Sequence, residues 1–480
     1  MRTLQPLILC VKQKKQNPLR TLQPLLLCVK QKKSFAHFAT FAPLRETKKI
    51  IMKKYIIILS TLAFAHTAIA QDNISPAKKH VGYTLIKNGT VHTGTGEVLQ
   101  NTSVLIHDGK IEKIGKDITV SDAVVTDATG MHVYPGFILA NTITGLKEIA
   151  SQVRATNDYN ELGDLNPNVK SIVAYNADSK IINTLRSNGI LFANVVPQGS
   201  LIAGTSSVVQ FDAWNYEDAL YKKDNGMHFY MPSLLVMPNR FGAEPQGDPL
   251  KAAKEKIEMV KQFFRQAKAY HTGDKPAQTN LKMEAVKGLF DKRQKLYVHC
   301  NIVKEMLTAI DFVKEFGFEV TLVGASECWQ IAPLLKQNNI SVIIAQMHSL
   351  PNAEDDDIDQ PFKTPAALQK AGVLYTITDE DETTTGRNLM FNAGTAASYG
   401  LSKEEALQAI TLNAAKILGI ADKSGSIEIG KDANIIISKG DVLDIRTSQI
   451  TKAFIQGRDI NLDDKHKQLY KKYEEKYGVK

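Results

Sequence analysis

Two imidazoles and a carboxylate close or shortly follow apolar runs in this chain. His299 sits in LYVHC (296–300), His348 follows SVIIA (341–345), and Asp379 follows LYTIT (374–378). Short runs rich in β-branched and aromatic residues signal strands, and side chains at the same ends of neighbouring strands can converge. Neutral histidine and ionised aspartate are good zinc ligands, and a catalytic zinc usually has three protein ligands plus a water. One divalent ion, zinc before others, held by His299, His348 and Asp379 is therefore one expectation, with Asp379 as the general base. The other is no cofactor. On that alternative His299 is a strand-end histidine hydrogen-bonded to a neighbour, and Asp379 is an acceptor that fixes the loop after it.

Other polar groups stand where a pocket could form. Asn141, Thr142 and Thr144 follow HVYPGFI, and Arg387 and Asn388 open GRNLMFNAG ahead of a helical pattern; these five are the candidate ligand-binding residues. Arg154, Asp158 and the run NDYNELGDLNPN lie in the loop after the first apolar strand, and such loops carry binding groups. Thr205-Ser206-Ser207 after Gly204 could cradle an anion on backbone N–H groups, although most such turns are only turns. Glu354 to Asp357 with Asp359, and Asp379 to Glu382, form acidic runs after strand ends. They could draw a cationic ligand or calcium, but a solvated loop is the commoner meaning of a charge run.

The first 70 residues distort the composition. RTLQPLILCVKQKK from Arg2 recurs as RTLQPLLLCVKQKK from Arg20, and two copies are too few for a repeat fold. Residues 1–51 are expected to be an upstream extension of the true start at Met52. From there Lys53, Lys54, an apolar run and Ala68-Ile69-Ala70 make a secretory signal peptide with cleavage before Gln71. The run is too short for a membrane span. Residues 1–70 carry 13 of the 59 Lys+Arg but one of the 50 Asp+Glu, so the remainder has a net charge of −3. The basic character of the whole chain is thus no argument for nucleic acid. A periplasmic or secreted protein with no membrane attachment after cleavage is expected. Cys300 and Cys328 are the two cysteines left, too few for a disulfide framework, and their apolar settings suggest buried thiols.

The elements that position these groups follow from period. From Tyr83 to Asp127 residues alternate around Asn88-Gly89 and Asp108-Gly109, both strong hairpin-turn signals. The stretch from Gly425 repeats the style, with Gly457 at a turn. Between these ends helical and strand-like patterns alternate, which predicts a parallel sheet with crossover helices. Residues 176–188 and 250–270 read as helices, and Ser402-x-x-Glu405 as a capping box opening a helix that ends at Gly419. At least six strands of barrel type are visible, so the fold class is α/β: a (β/α)8 barrel over 135–424. A small β-sandwich is expected from 71–134 with 425–480.

KNGTVHTGTGE, DATGMHVYPGFI, NAGTAASYGLSKEEALQAITLNAAKILGI and GSIEIGKDANIIIS, in this order, resemble the amidohydrolase superfamily in its imidazolonepropionase-like branch. The resemblance runs from about Tyr83 to Gly457. It implies a metal-dependent hydrolase of cyclic amides, ureas or dipeptides, in which a metal-bound hydroxide attacks a carbonyl. The family's first strand ends PGFID-x-H-x-H. Here Leu139 replaces the aspartate, and Asn141 and Ile143 replace the two histidines. His299 matches the strand-five histidine and Asp379 the strand-eight aspartate. The strand-six histidine is absent from VTLVGAS, where Gly324, Ala325 and Ser326 stand, and the strand-four bridging lysine finds no clear place.

Two functions follow. One is a pseudo-enzyme that binds a small molecule or peptide, or pairs with an intact amidohydrolase paralogue. The other is a hydrolase of C–N bonds working on a reduced metal site. A nucleotide-binding module is disfavoured, since the chain has neither a P-loop nor a G-x-G-x-x-G after a strand.

Overall fold

Alternation of apolar and polar side chains builds the first sheet from the two ends of the chain. A computed structural model describes residues 74–148, 157–199, 201–235, 248–273, 278–345, 347–353, 355–379 and 385–479. The tandem repeat, the signal peptide, Arg154, Glu354 and Glu380 to Glu382 lie outside them. Strands β1 (Tyr83–His92), β2 (Val98–His107), β3 (Lys110–Gly115), β4 (Val124–Asp127) and β5 (His132–Pro135) come first. β1, β2 and β3 form an antiparallel meander, and β4 and β5 lie parallel to β1. Asp108-Gly109 makes the β2–β3 turn, with both residues at positive φ.

Asn88-Gly89 is not the hairpin turn that its sequence suggests. β1 runs straight through it, with register shifts on either side of Gly89, which is a bulge. Glycine is needed here because a Cβ would lie 2.7 Å from Val133 Cγ2.

Gly136 hands the chain from β5 to a second sheet, and a Cβ there would strike Leu191 Cδ1 at 2.4 Å. This sheet has eight strands in sequential order: β6 (Phe137–Thr142), β7 (Ile190–Val195), β8 (Ile202–Gln210), β9 (Leu220–Tyr230), β10 (Lys295–Cys300), β11 (Val320–Gly324), β12 (Ser341–Ile344) and β13 (Tyr375–Ile377). It curls into a nearly closed, TIM-barrel-like α/β fold. At the seam between β13 and β6, Asn141 N donates to Thr378 Oγ1 at 3.3 Å.

The barrel departs from an all-parallel expectation at β8, which is antiparallel to both β7 and β9. Only residues 196–201 separate β7 from β8. A parallel crossover needs a dozen or more residues, whereas a short link suits an antiparallel return. The reversal also corrects the expected anion cradle. Thr205, Ser206 and Ser207 are buried inside β8, and Thr205 N already donates to Val169 O at 2.8 Å.

Helices cover the outside. α1 (Lys180–Ser187) buries Ile181, Ile182 and Leu185, and α2 (Pro249–Thr272) buries Val260, Phe263 and Phe264 under a cap from Asp248. α3 (Val303–Phe316) follows β10 and α4 (Gln360–Ala371) precedes β13. After β13 come α5 (Leu389–Ser398), α6 (Lys403–Ala409) and α7 (Leu412–Leu418). The Ser402–Glu405 capping box opens α6, and Gly419 ends α7 in the left-handed conformation. The expected single helix breaks at Ile410-Thr411. There the Ala409 carbonyl accepts from Thr376 Oγ1 at 2.6 Å and the Ile410 carbonyl from Ile138 N at 3.0 Å. Carbonyls diverted to the barrel leave the helical ladder.

The chain then returns to the first sheet as β14 (Ile435–Ser438), β15 (Ile450–Ile455) and β16 (Arg458–Asp459), with β14 antiparallel to β5. α8 (Lys465–Tyr477) closes the described chain and buries none of its residues. Among the described residues no helix is long and apolar enough to cross a membrane.

Candidate ligand site at the strand ends

Register places four rings on one face of β9 and β10. Tyr297 pairs with His228 and His299 with Tyr230 in the parallel ladder, so all four side chains share a side. That side is the barrel interior, because the intervening Phe229 packs outward on Phe312 of α3. His228 stacks on Tyr297 at 4.8 Å between centroids, and Tyr230 stacks on His299 at 3.9 Å. The two histidines meet edge to edge, with His228 Nδ1 and His299 Nε2 2.9 Å apart.

Burial sets their protonation. It holds the His299 imidazole down to about 3 and the His228 imidazole well below the ordinary histidine value, the neighbouring His299 adding to the latter. Both rings are neutral near pH 7. His228 Nε2 is buried with no hydrogen-bond partner. An empty lone pair costs less there than an orphaned N–H, so we assign the shared proton to His228 Nδ1, donating to His299 Nε2. Tyr297 continues the polar interior, its hydroxyl accepting from Asn225 Nδ2 at 3.0 Å.

Above this layer lies a cavity of about 820 Å3 over the C-terminal ends of β9 to β12. Tyr230, His299, Asn301, Trp329, Asp356 and Gln360 are among its lining residues. The volume suits a small organic ligand.

Of the residues picked out by sequence, His299 lines this cavity. Asp379 is held beside the seam, with Oδ1 accepting from Thr385 Oγ1 at 2.6 Å and Oδ2 from Asn392 Nδ2 at 3.0 Å. His348 is exposed, its Nε2 lying 3.1 Å from Thr395 Oγ1 on α5. Asn141, Thr142 and Thr144 are buried at the end of β6, where the Thr142 and Thr144 hydroxyls meet at 2.8 Å. Arg387 turns to α8, 3.2 Å from His466 Nε2, and Asn388 precedes α5 with no side-chain capping bond. Cys300 and Cys328 are free and buried. Burial pushes the Cys328 thiol up to about 12, so it is inert as a nucleophile. Among the described residues no three His, Cys, Asp or Glu side chains form a metal-binding group.

Sequence reasoning missed His228 and Tyr230. Tyr230 stands at the end of the fourth barrel strand, where the resemblance calls for a lysine. The run Met227-His228-Phe229-Tyr230 just before Pro232 was the available signal, masked by the polar Lys222-Lys223-Asp224-Asn225 upstream in the same strand.

Comparison with known proteins agrees with this architecture. The sequence profile of the Amidohydrolase family matches residues 200–462. A crystal structure of an amidohydrolase from Thermotoga maritima is 26% identical, with a TM-score of 0.68, covering 79% of this chain and 99% of that one. A prolidase crystallised with N-methylphosphonate-L-proline shares the fold at 15% identity and a TM-score of 0.52, over 79% and 99% of the two chains. Amidohydrolase tasK of Hapsidospora irregularis is 20% identical in an alignment of 428 positions that covers 76% of this chain and 42% of that protein. Dihydroorotase of Listeria monocytogenes is 29% identical in an alignment of 158 positions that covers 30% of this chain and 35% of the enzyme. The chain therefore spans less than half the length of these curated relatives.

Proposed function

Because the chain belongs to the Amidohydrolase family, we propose that it is an exported barrel that binds a ligand at its mouth and has lost the family's metal-dependent hydrolysis. The observation that carries this reading is the engagement of His299. Its Nε2 lies 2.9 Å from His228 Nδ1, the contact assigned above as a hydrogen bond from His228, and Tyr230 covers its ring face at 3.9 Å.

The neighbouring positions do not fit a catalytic metal. Ile143 is hydrocarbon, 2% exposed. Asn141 offers only an amide, a poor zinc ligand, and Gly324 has no side chain to offer. Both Asp379 oxygens accept hydrogen bonds from the protein. The reading takes export from the signal at Met52, and takes the two-ended sheet as a small sandwich beside the barrel.

A second reading draws on the same imidazole pair. Two ring nitrogens 2.9 Å apart are close enough to share one zinc if both turned lone pairs toward it, which would support C–N hydrolysis on a reduced site.

Elemental mass spectrometry on protein purified without chelator and then resupplied with zinc separates the two. We expect no retained ion. About one ion per chain, lost in His299→Ala, would overturn the proposal in favour of the hydrolase. Intact mass of the exported protein tests the leader, with Gln71 expected as the first residue.

A further inference from the structure

Charge is distributed unevenly around the mouth cavity. Its described lining includes three carboxylates, Glu305, Glu327 and Asp356, and no lysine or arginine. His299 is a neutral ring there. Two of the acids are fixed at the start of α3. Glu305 accepts from the backbone N–H groups of Leu234 and Asn301, each at 2.9 Å, and Glu327 from Val303 N at 2.8 Å. These bonds hold the two carboxylates in place.

The third acid differs from its sequence neighbours. Asp357 and Asp359 are both paired with Lys363, at 2.9 and 2.7 Å, and neither lines the cavity. Asp356 lines it, and among the described residues its carboxylate meets only the Ala353 N–H, at 3.4 Å. No described lysine or arginine pairs with it. Among the described acids of the run, Asp357 and Asp359 share a surface lysine, Asp355 is exposed, and Asp356 faces the cavity. Trp329 and Tyr230 add aromatic walls to the same space, and aromatic faces attract cations electrostatically.

We propose that the ligand of this cavity is an organic ammonium ion carrying an apolar or aromatic group, with Asp356 opposite the charge and Trp329 against the body. The inference rests on the ligand-binding reading above. A cavity whose described lining is acidic and aromatic, with no described lysine or arginine, favours such a ligand over an anion of equal size, which would lose its hydration to face carboxylates. A neutral ligand of the same shape keeps the apolar contact and forgoes the charge.

The chain has two tryptophans. Trp214 is 66% exposed and lies outside this cavity, so Trp214→Phe leaves Trp329 as the fluorescent reporter. The test titrates this variant with phenethylamine, 2-phenylethanol and phenylacetate, which share a skeleton and differ in charge. The amine is expected to bind about tenfold or more tighter than the alcohol, with phenylacetate weakest. Adding Asp356→Asn should weaken the amine about five- to tenfold and leave the alcohol unchanged. Raised salt should erode the amine's advantage.

Equal binding of amine and alcohol, preference for phenylacetate, or an unchanged amine affinity in Asp356→Asn would overturn the inference. So would quenching by calcium without amine preference. Zinc content measured on the same sample separates this failure from that of the functional proposal. Metal-free protein without amine preference sinks the inference alone, whereas retained zinc sinks the proposed function whatever the amine does.

Discussion

His228 and His299 enter the folded state as neutral rings, so acid acts on them through the unfolded chain. Above about pH 6.5 neither state binds a proton at these sites and stability is insensitive to them. Below it the unfolded chain takes up protons that the folded rings refuse, since burial holds the His299 value at about 3 and the His228 value well below 6.5. Stability therefore falls as pH drops through 6.5 and goes on falling toward 3. The His299 ring should cost on the order of 1 kcal/mol by about pH 5.5, with His228 adding in the same direction. Urea midpoints of wild type and His228→Phe between pH 7.5 and 5.5 measure this, and the variant should lose part of the slope. Identical slopes would mean that the rings protonate within the fold. At this scale His299 was legible because it closes an apolar run, and Ile143 because it stands where the resemblance calls for a ligand. The bond that occupies His299 was not legible. It depends on the register between two strands whose contacting histidines lie 71 positions apart.

Among the elements, period was the dependable signal, whereas turn chemistry held at Asp108-Gly109 and misled at Asn88-Gly89. The apolar runs at β7 and β10 to β13 appear where the sequence places them. β8 and β9 were missed because a buried antiparallel insertion interrupts the βα rhythm, although the six residues between β7 and β8 already excluded a crossover helix. Asn88-Gly89 shows why a dipeptide alone is insufficient. Its backbone preference is met, with Asn88 at a φ of 61°, but the neighbouring residues on both sides continue one ladder with β2. Gly89→Ala should therefore act by overpacking rather than by opening a turn. The added methyl meets Val133 Cγ2 at 2.7 Å and Ala128 Cβ at 3.3 Å, a cost of about 1–3 kcal/mol. Val133→Ala in the same chain should recover part of that loss in a chemical-denaturation cycle. Strict additivity of the two changes would count against the contact.

For the whole molecule, the sequence indicated that the β-rich ends belong together, and it did not indicate how they are fastened to the barrel. The fastening includes a buried ionic cluster centred on Asp212, just after β8. Its carboxylate meets Arg186 of α1 at 3.0 Å, Arg458 of β16 at 2.9 Å and the Ala77 N–H at 3.0 Å. Asp212 is 1% exposed and Arg186 3%. Residues so far apart in sequence carry no local pattern that would reveal their convergence. Desolvating three charges is expensive, and their attraction about offsets that cost, so the cluster is better evidence for a specified geometry than for added stability. Two changes distinguish these contributions. Asp212→Ala leaves the buried Arg186 and the part-buried Arg458 without their carboxylate and should cost about 3–5 kcal/mol. Replacing all three together, Asp212→Leu with Arg186→Met and Arg458→Met, removes the stranded charges and should recover most of that loss. Truncation after Asp464 supplies the control. It deletes α8, which buries no residue, and keeps the Asp464 carboxylate on Ser187, so it should shift the urea midpoint little. If the triple variant proves no more stable than Asp212→Ala, packing around the cluster, rather than its unpaired charge, governs how the first sheet is held to the barrel.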